Sequence, residues 1–99
     1  MVFAAAASAR AQVSGKIEGT VVDGEGKALA GVKVEAAEAA TGTRSTTTDK
    51  AGRYRFALVQ PGEYKVTFTL PSHADVQKYG NVRLSGTLTI NAKMFRVDG

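Results

Sequence analysis

Residues Thr48 to Leu70 read TDKAGRYRFALVQPGEYKVTFTL, and two runs within this stretch carry a large apolar residue at every second position. Tyr54, Phe56 and Leu58 alternate with Arg53, Arg55 and Ala57; Tyr64, Val66, Phe68 and Leu70 alternate with Lys65, Thr67 and Thr69. A period of two is the mark of a β-strand with one face buried and one in water. Gln60-Pro61-Gly62 stands between the runs. Proline fixes φ near about −65° and glycine tolerates positive φ, so the pair favours a tight reversal. The stretch reads as an antiparallel hairpin whose aromatics supply a core.

Working outward, the same period recurs. Ile17, Gly19 and Val21 alternate with Lys16, Glu18 and Thr20, and Asp23 to Lys27 (DGEGK) then breaks the run as a turn. Gly31 opens a second strand with Val32, Val34 and Ala36 on one face, and Glu38 to Gly42 form a loop. Thr43 to Thr48 is β-branched and polar, which suits an edge strand or a strand with one wet face. Asp49 to Gly52 is a tight turn by composition. Beyond Leu70, Pro71 cannot donate to a ladder and ends the strand. A sixth run covers Val76 to Leu84 with a kink at Gly80-Asn81, and a last strand carries Leu88, Ile90 and Ala92 on one face. The alanines at 36 to 40 are the only place for a short helix. Seven strands at roughly ten-residue spacing predict an all-β, seven-stranded antiparallel β-sandwich; a closed barrel is disfavoured at this length. The expected core is Ile17, Val21, Val32, Val34, Tyr54, Phe56, Leu58, Tyr64, Val66, Phe68, Leu88 and Ile90.

At 99 residues, 43% of them hydrophobic and 22% charged, the chain has room for one small domain. With no cysteine, neither a disulfide nor a thiolate metal site can support it. The formal charge of +4 is dispersed and interleaved with acids, the densest group being Arg53 and Arg55 on one strand face. Phosphate-backbone binding requires clustered charge, so no nucleic-acid partner is expected.

Candidate chemistry is sparse. The single histidine, His73, lies between Ser72 and Asp75. Neighbours on an extended loop diverge, so these three make a poor triad and His73 reads as a loop residue packed at the sandwich end. Zinc would need ligands that the chain does not supply, and Asp23 with Glu25 are too few carboxylates for a calcium loop. The glycines of DGEGKALAG lack the Gly-Lys-Ser/Thr ending of a phosphate loop. No catalytic residue, metal or cofactor is expected. For a glycan, only Tyr79 stands free of the inward parity, a weak candidate; for a peptide, the Thr43 to Thr48 edge could accept an added strand.

The order GTVVDGEGKALAGVKVEA, TGTRSTTTDKAGRYRFALVQPGEYKVTFTLP and VRLSGTLTINAKM resembles the carboxypeptidase regulatory-like domain, a transthyretin-like (prealbumin-like) sandwich. Its most specific part is Asp49-x-x-Gly52-x-Tyr54-x-Phe56 followed by Pro61-Gly62-x-Tyr64, with Gly31-Val32-x-Val34 in support. A Gly-aromatic pair common after the strand-ending proline is replaced here by Ser72-His73. Collagen-adhesin B-type domains close a Lys–Asn bond with a glutamate four residues after the tyrosine of Gly-x-Tyr. That position is Phe68, so Lys16 and Asn91 lack the acid. The single histidine and the RVDG ending also separate the chain from the hydroxyisourate hydrolases, which share the sandwich.

The resemblance implies a non-enzymatic accessory module whose role comes from a fused or neighbouring transporter or enzyme domain. Ahead of it, MVFAAAASARAQ ends in Ala9-Arg10-Ala11, a small-x-small form that a signal peptidase reads before Gln12. The run is short for a leader and has no basic start, which implies a truncated start or an internal Met1; a plain alanine tail is the alternative. Residues 1–11 are thus expected to be a leader remnant, 12–94 the sandwich and 95–99 a tail or the start of a linker. No run approaches the roughly 20 apolar residues of a spanning helix, so this domain is not expected to insert in a membrane. The combined expectation is an exported, periplasmic module, most concretely at the N-terminus of a TonB-dependent outer-membrane receptor, where such domains follow the signal peptide directly. Glycan or peptide binding on a secreted enzyme or adhesin is the rival.

Overall fold

The computed structural model describes residues 14–97, and the leader-like run 1–11 lies outside them. Eight strands follow in order: β1 (Gly15–Asp23), β2 (Lys33–Glu38), β3 (Gly42–Thr47), β4 (Arg53–Val59), β5 (Gly62–Thr69), β6 (Val76–Val82), β7 (Thr87–Thr89) and β8 (Ala92–Met94). They form two four-stranded sheets. One runs β4-β1-β7, with β8 continuing beside β1; the other runs β3-β2-β5-β6. The all-β two-sheet sandwich expected from period two is therefore the observed fold, and the described residues contain no helix.

The pairing of the deciding stretch differs from the hairpin expected. β4 pairs with β1 and β5 with β2 and β6, so Gln60-Pro61-Gly62 carries the chain from one sheet to the other. The alternation is unchanged, but its aromatics meet across the core instead of side by side. Tyr54 of one sheet packs edge-on to Phe68 of the other, with ring centroids 5.6 Å apart, and to Phe56 at 6.1 Å. The crossing is pinned by the Tyr64 hydroxyl, which donates to the Gln60 carbonyl at 2.7 Å.

Leu58 is a second correction. It was expected in the core and is 76% exposed. Gly15 faces Val59 and Ile17 faces Phe56, so Lys16 alone stands opposite Ala57 and Leu58. This is a β-bulge, and the extra residue reverses the parity of everything after it. Leu58 adopts φ 54° and points to solvent, while Val59 takes the inward place at 3% exposed.

The third correction concerns count and direction. The last run divides at Ile90-Asn91 into β7 and β8, giving eight strands, and both pair with β1 in parallel, so the sandwich is not wholly antiparallel. Of the expected core, Leu88 is only half-buried at the rim, lying against Gly80, while the other members apart from Leu58 are buried. Ala36, Val59, Val82, Ala92 and Met94 complete the core.

Burial sets the cost of substitution. Phe56→Ala or Phe68→Ala should cost about 3–5 kcal/mol, a large share of a small domain's stability. Lys65→Ala should lie within about 1 kcal/mol of the parent. Leu58→Gly should be neutral or stabilising by up to about 1 kcal/mol, because it relieves a left-handed side chain. Chemical denaturation checks the order; a loss at Leu58 comparable to that at Phe56 would contradict the bulge.

Candidate functional surfaces

Three turns are held by carboxylates. Asp23 Oδ1 accepts the backbone N–H groups of Glu25 (2.8 Å) and Lys27 (2.9 Å). Glu38 Oε1 accepts those of Ala40 and Thr41 and the Thr41 hydroxyl. Asp49 Oδ1 accepts those of Ala51 and Arg53. The turns at Asp23 and Asp49 are Asx-turns, in which the acid replaces a backbone acceptor, and Glu38 does the same with a longer side chain. The Lys27 N–H, with that of Glu25, holds the Asp23 carboxyl below its ordinary value, and the Thr41 N–H and hydroxyl do the same for Glu38. One oxygen of Asp23 is thereby engaged within its own turn. Among the described residues no group of three or more His, Cys, Asp or Glu side chains converges as a metal site.

His73 is half-buried, and its Nδ1 lies 2.9 Å from the Pro71 carbonyl oxygen. Its backbone pairs with Arg96, flanked by the bonds Ala74 N to Phe95 O and Val97 N to Ser72 O. Ser72 sits at φ 66° with its carbonyl in this ladder, and Asp75 is exposed. The loop thus clasps the segment after β8, and its histidine is spent on that local geometry.

Tyr79 is 72% exposed on the outer face of the second sheet. It stands opposite Lys65, which stands opposite Ala37. With Glu63, Gly80 and Asn81 they border a shallow depression of about 430 Å³. A ring beside amide and charged side chains is the arrangement that stacks on a sugar, but the face offers one ring only. Elsewhere, Arg53 and Arg55 border an open groove of about 610 Å³ that Thr46 and Thr47 of β3 in the other sheet also line, with Glu18 and Asp49 among them. Glu18, opposite Arg55 on the neighbouring strand, and Asp49 make this an ordinary mixed-charge surface.

β3 is an edge strand, exposed along most of its length. Its Arg44 reaches across the open side of the sandwich, donating from Nη1 to the Ala57 carbonyl at 2.7 Å and lying 5.7 Å from the Phe56 ring centroid. One side chain therefore ties the two sheet edges together, which restricts strand addition on that side. Lys16 faces Thr87, whereas Asn91 Oδ1 accepts the Thr20 N–H, so the two residues tested for a cross-link sit at different heights along β1. Phe68, in the place of the acid, is fully buried.

The most constrained place is the seam between β1 and the end of the chain. The Tyr54 hydroxyl donates to the Ile90 carbonyl at 2.6 Å in the buried interior, and burial pushes that hydroxyl's pKa up. Glu18 O accepts the Ile90 N–H, and Asn91 Oδ1 takes the Thr20 N–H where no strand residue is available. A Cβ at position 19 would run into the Ile90 carbonyl, so the approach requires Gly19. Thr48 fixes the other side of the sandwich: its buried hydroxyl accepts from Val32 N and donates to Leu29 O. Sequence reading missed Thr48 and the Tyr54–Ile90 bond, since neither has a local pattern.

Residues 16–95 match the carboxypeptidase regulatory-like domain. The chain belongs to that family. No curated protein matches it significantly. Among solved structures it is similar to the Bacillus anthracis TIE protein (17% identity, TM-score 0.76, covering 86% of this chain and 17% of that one). It is also similar to GBS52, the minor pilin of Streptococcus agalactiae (19%, 0.71, covering 89% and 47%). A third is the "putative carbohydrate binding protein (PA1324)" of Pseudomonas aeruginosa (20%, 0.66, covering 83% and 90%). The chain spans less than half the length of the first two, and at these identities the likeness is one of fold. The chain is thus a two-sheet β-sandwich domain of the carboxypeptidase regulatory-like family.

The carboxylate turns make acid stability testable. Both folded-state pKa values lie below the ordinary values of 3.8 (Asp23) and 4.5 (Glu38), so protonation favours the unfolded chain. Their contribution is present above those ordinary values and lost as pH falls through the folded ones. Thermal denaturation against pH should show Asp23→Asn and Glu38→Gln with a shallower acid decline than the parent; an unchanged acid limb would refute the role.

Proposed function

We propose that this module is an in-series link of an exported protein, most concretely the periplasmic N-terminal extension of a TonB-dependent outer-membrane transporter. The observation that carries the reading is the parallel pairing of β1 with β8. The chain enters beside Gly15 at one pole and, after Met94, leaves beside Asp23 at the other, roughly 26 Å away at the rise of a strand. Such a module extends a chain instead of hanging from it as a side branch. The Ala9-Arg10-Ala11 run ahead of the sandwich supports export. The test is to sequence the encoding DNA on both sides and fractionate cells carrying the full frame. A plug and barrel downstream with the domain in the periplasm is expected; a zinc peptidase domain or cytoplasmic retention would overturn it.

Exposure of Tyr79 above Ala37, together with the fold likeness to PA1324, favours a second reading in which the module binds a glycan. Titration of the described domain against a neutral and acidic glycan panel, followed by amide chemical shifts, tests it. Saturable shifts centred on Tyr79 and abolished by Tyr79→Ala would support that reading, and silence across the panel would remove it.

A further inference from the structure

We infer that the domain bears mechanical load, with β1 against β7 and β8 acting as a shear clamp. Where the reading above concerns position in a chain, this concerns a property of the fold itself, and either can fail alone. Tension between the two poles pulls β1 toward its N-terminal end and β8 toward its C-terminal end. The strands are parallel neighbours, so their inter-strand hydrogen bonds lie across the direction of pull. Six residue pairs, Lys16–Thr87 to Glu18–Thr89 and Val21–Ala92 to Asp23–Met94, then share the load and must yield together. Peeling from one end would load them one at a time.

Three features keep the terminal strands from sliding. Tyr54 of β4 holds the Ile90 carbonyl midway between β7 and β8, so motion of the chain end must break a buried bond to a third strand. Asn91 replaces the missing ladder partner of Thr20 at the break, leaving no unbonded gap there. Ile17 and Val21 of β1 and Met94 of β8 are fully buried, so any slide draws apolar side chains through the core. After β8, residues 95–97 are bonded in turn to the 72–74 loop.

Single-molecule pulling with two attachment geometries tests the clamp. The chain contains no cysteine, so handles can be placed at will. One variant carries Ser14→Cys and Val97→Cys, which loads the seam from pole to pole. The other carries Glu25→Cys and Val97→Cys, both at the C-terminal pole, which peels β1 from β8. Both pairs sit outside the core, and circular dichroism checks that each variant folds. Unfolding force should be several-fold higher in the first geometry at the same loading rate. Asn91→Ala should lower the force in the first geometry and leave the second nearly unchanged, a split that simple loss of stability would not produce. Equal forces in the two geometries, or an Asn91→Ala effect equal in both, would overturn the proposal.

Discussion

The Ile90 carbonyl is the point on which the architecture depends. It turns inward where the last run of the chain breaks, sits against Gly19 and receives the Tyr54 hydroxyl. A buried carbonyl without a partner would cost about 1–3 kcal/mol, so the bond from Tyr54 is what makes the inward turn tolerable. From that contact the rest follows. β7 and β8 can lie beside β1 in succession, the sheet gains its second edge, and Ala92 and Met94 reach the core beneath it. The hydroxyl is buried, and the same burial raises its pKa above the ordinary phenol value, so the donor keeps its proton into more alkaline solution than an exposed tyrosine would.

Much of this was legible in the residues. Strict alternation at Tyr54–Phe56 and Tyr64–Phe68 fixed which side chains are buried, and the polar Thr43 to Thr48 run left an edge or a wet-faced strand, of which the structure has the edge. Period two, however, reports only which face is inward. It does not say which strand is the hydrogen-bonded neighbour, and so the reversal at Pro61-Gly62 looked like a hairpin although it crosses between sheets. In a sandwich either arrangement buries the same set of aromatics. The difference lies in long-range pairing that local composition does not encode.

The errors at Leu58 and at the last strand share a cause. Each is an interruption where one residue departs from the ladder; at Leu58 it reverses the parity, whereas at Ile90-Asn91 the even positions stay inward and only the break is hidden. At Leu58 the bulge inserts a residue, so an apolar side chain is turned to water and Val59 replaces it. At Ile90-Asn91 the ladder is continued by an asparagine side chain, which period two reads as one unbroken strand. Tyr79 was legible for the opposite reason: the kink expected at Gly80-Asn81 is not there, β6 pairs with β5 without a shift, and the outward parity of Tyr79 has nothing to override it. Thr48 was not, because a buried hydroxyl that joins two loops has no pattern of its own.

The distribution of constraint bears on what kind of function the module has. Its fixed points lie inside and along the seam: Gly19, Tyr54, Thr48, and Gly52, whose φ of 76° and closeness to the Val21 carbonyl admit no side chain. The surface carries one exposed ring in one place and guanidinium groups mixed with acids in another, neither converging on a point. A binding site concentrates constraint at the surface, because side chains must be held in one geometry against water. Here Gly19 and Tyr54 fix the place where the first strand meets the last, and what that placement controls is how firmly the two ends of the domain are joined.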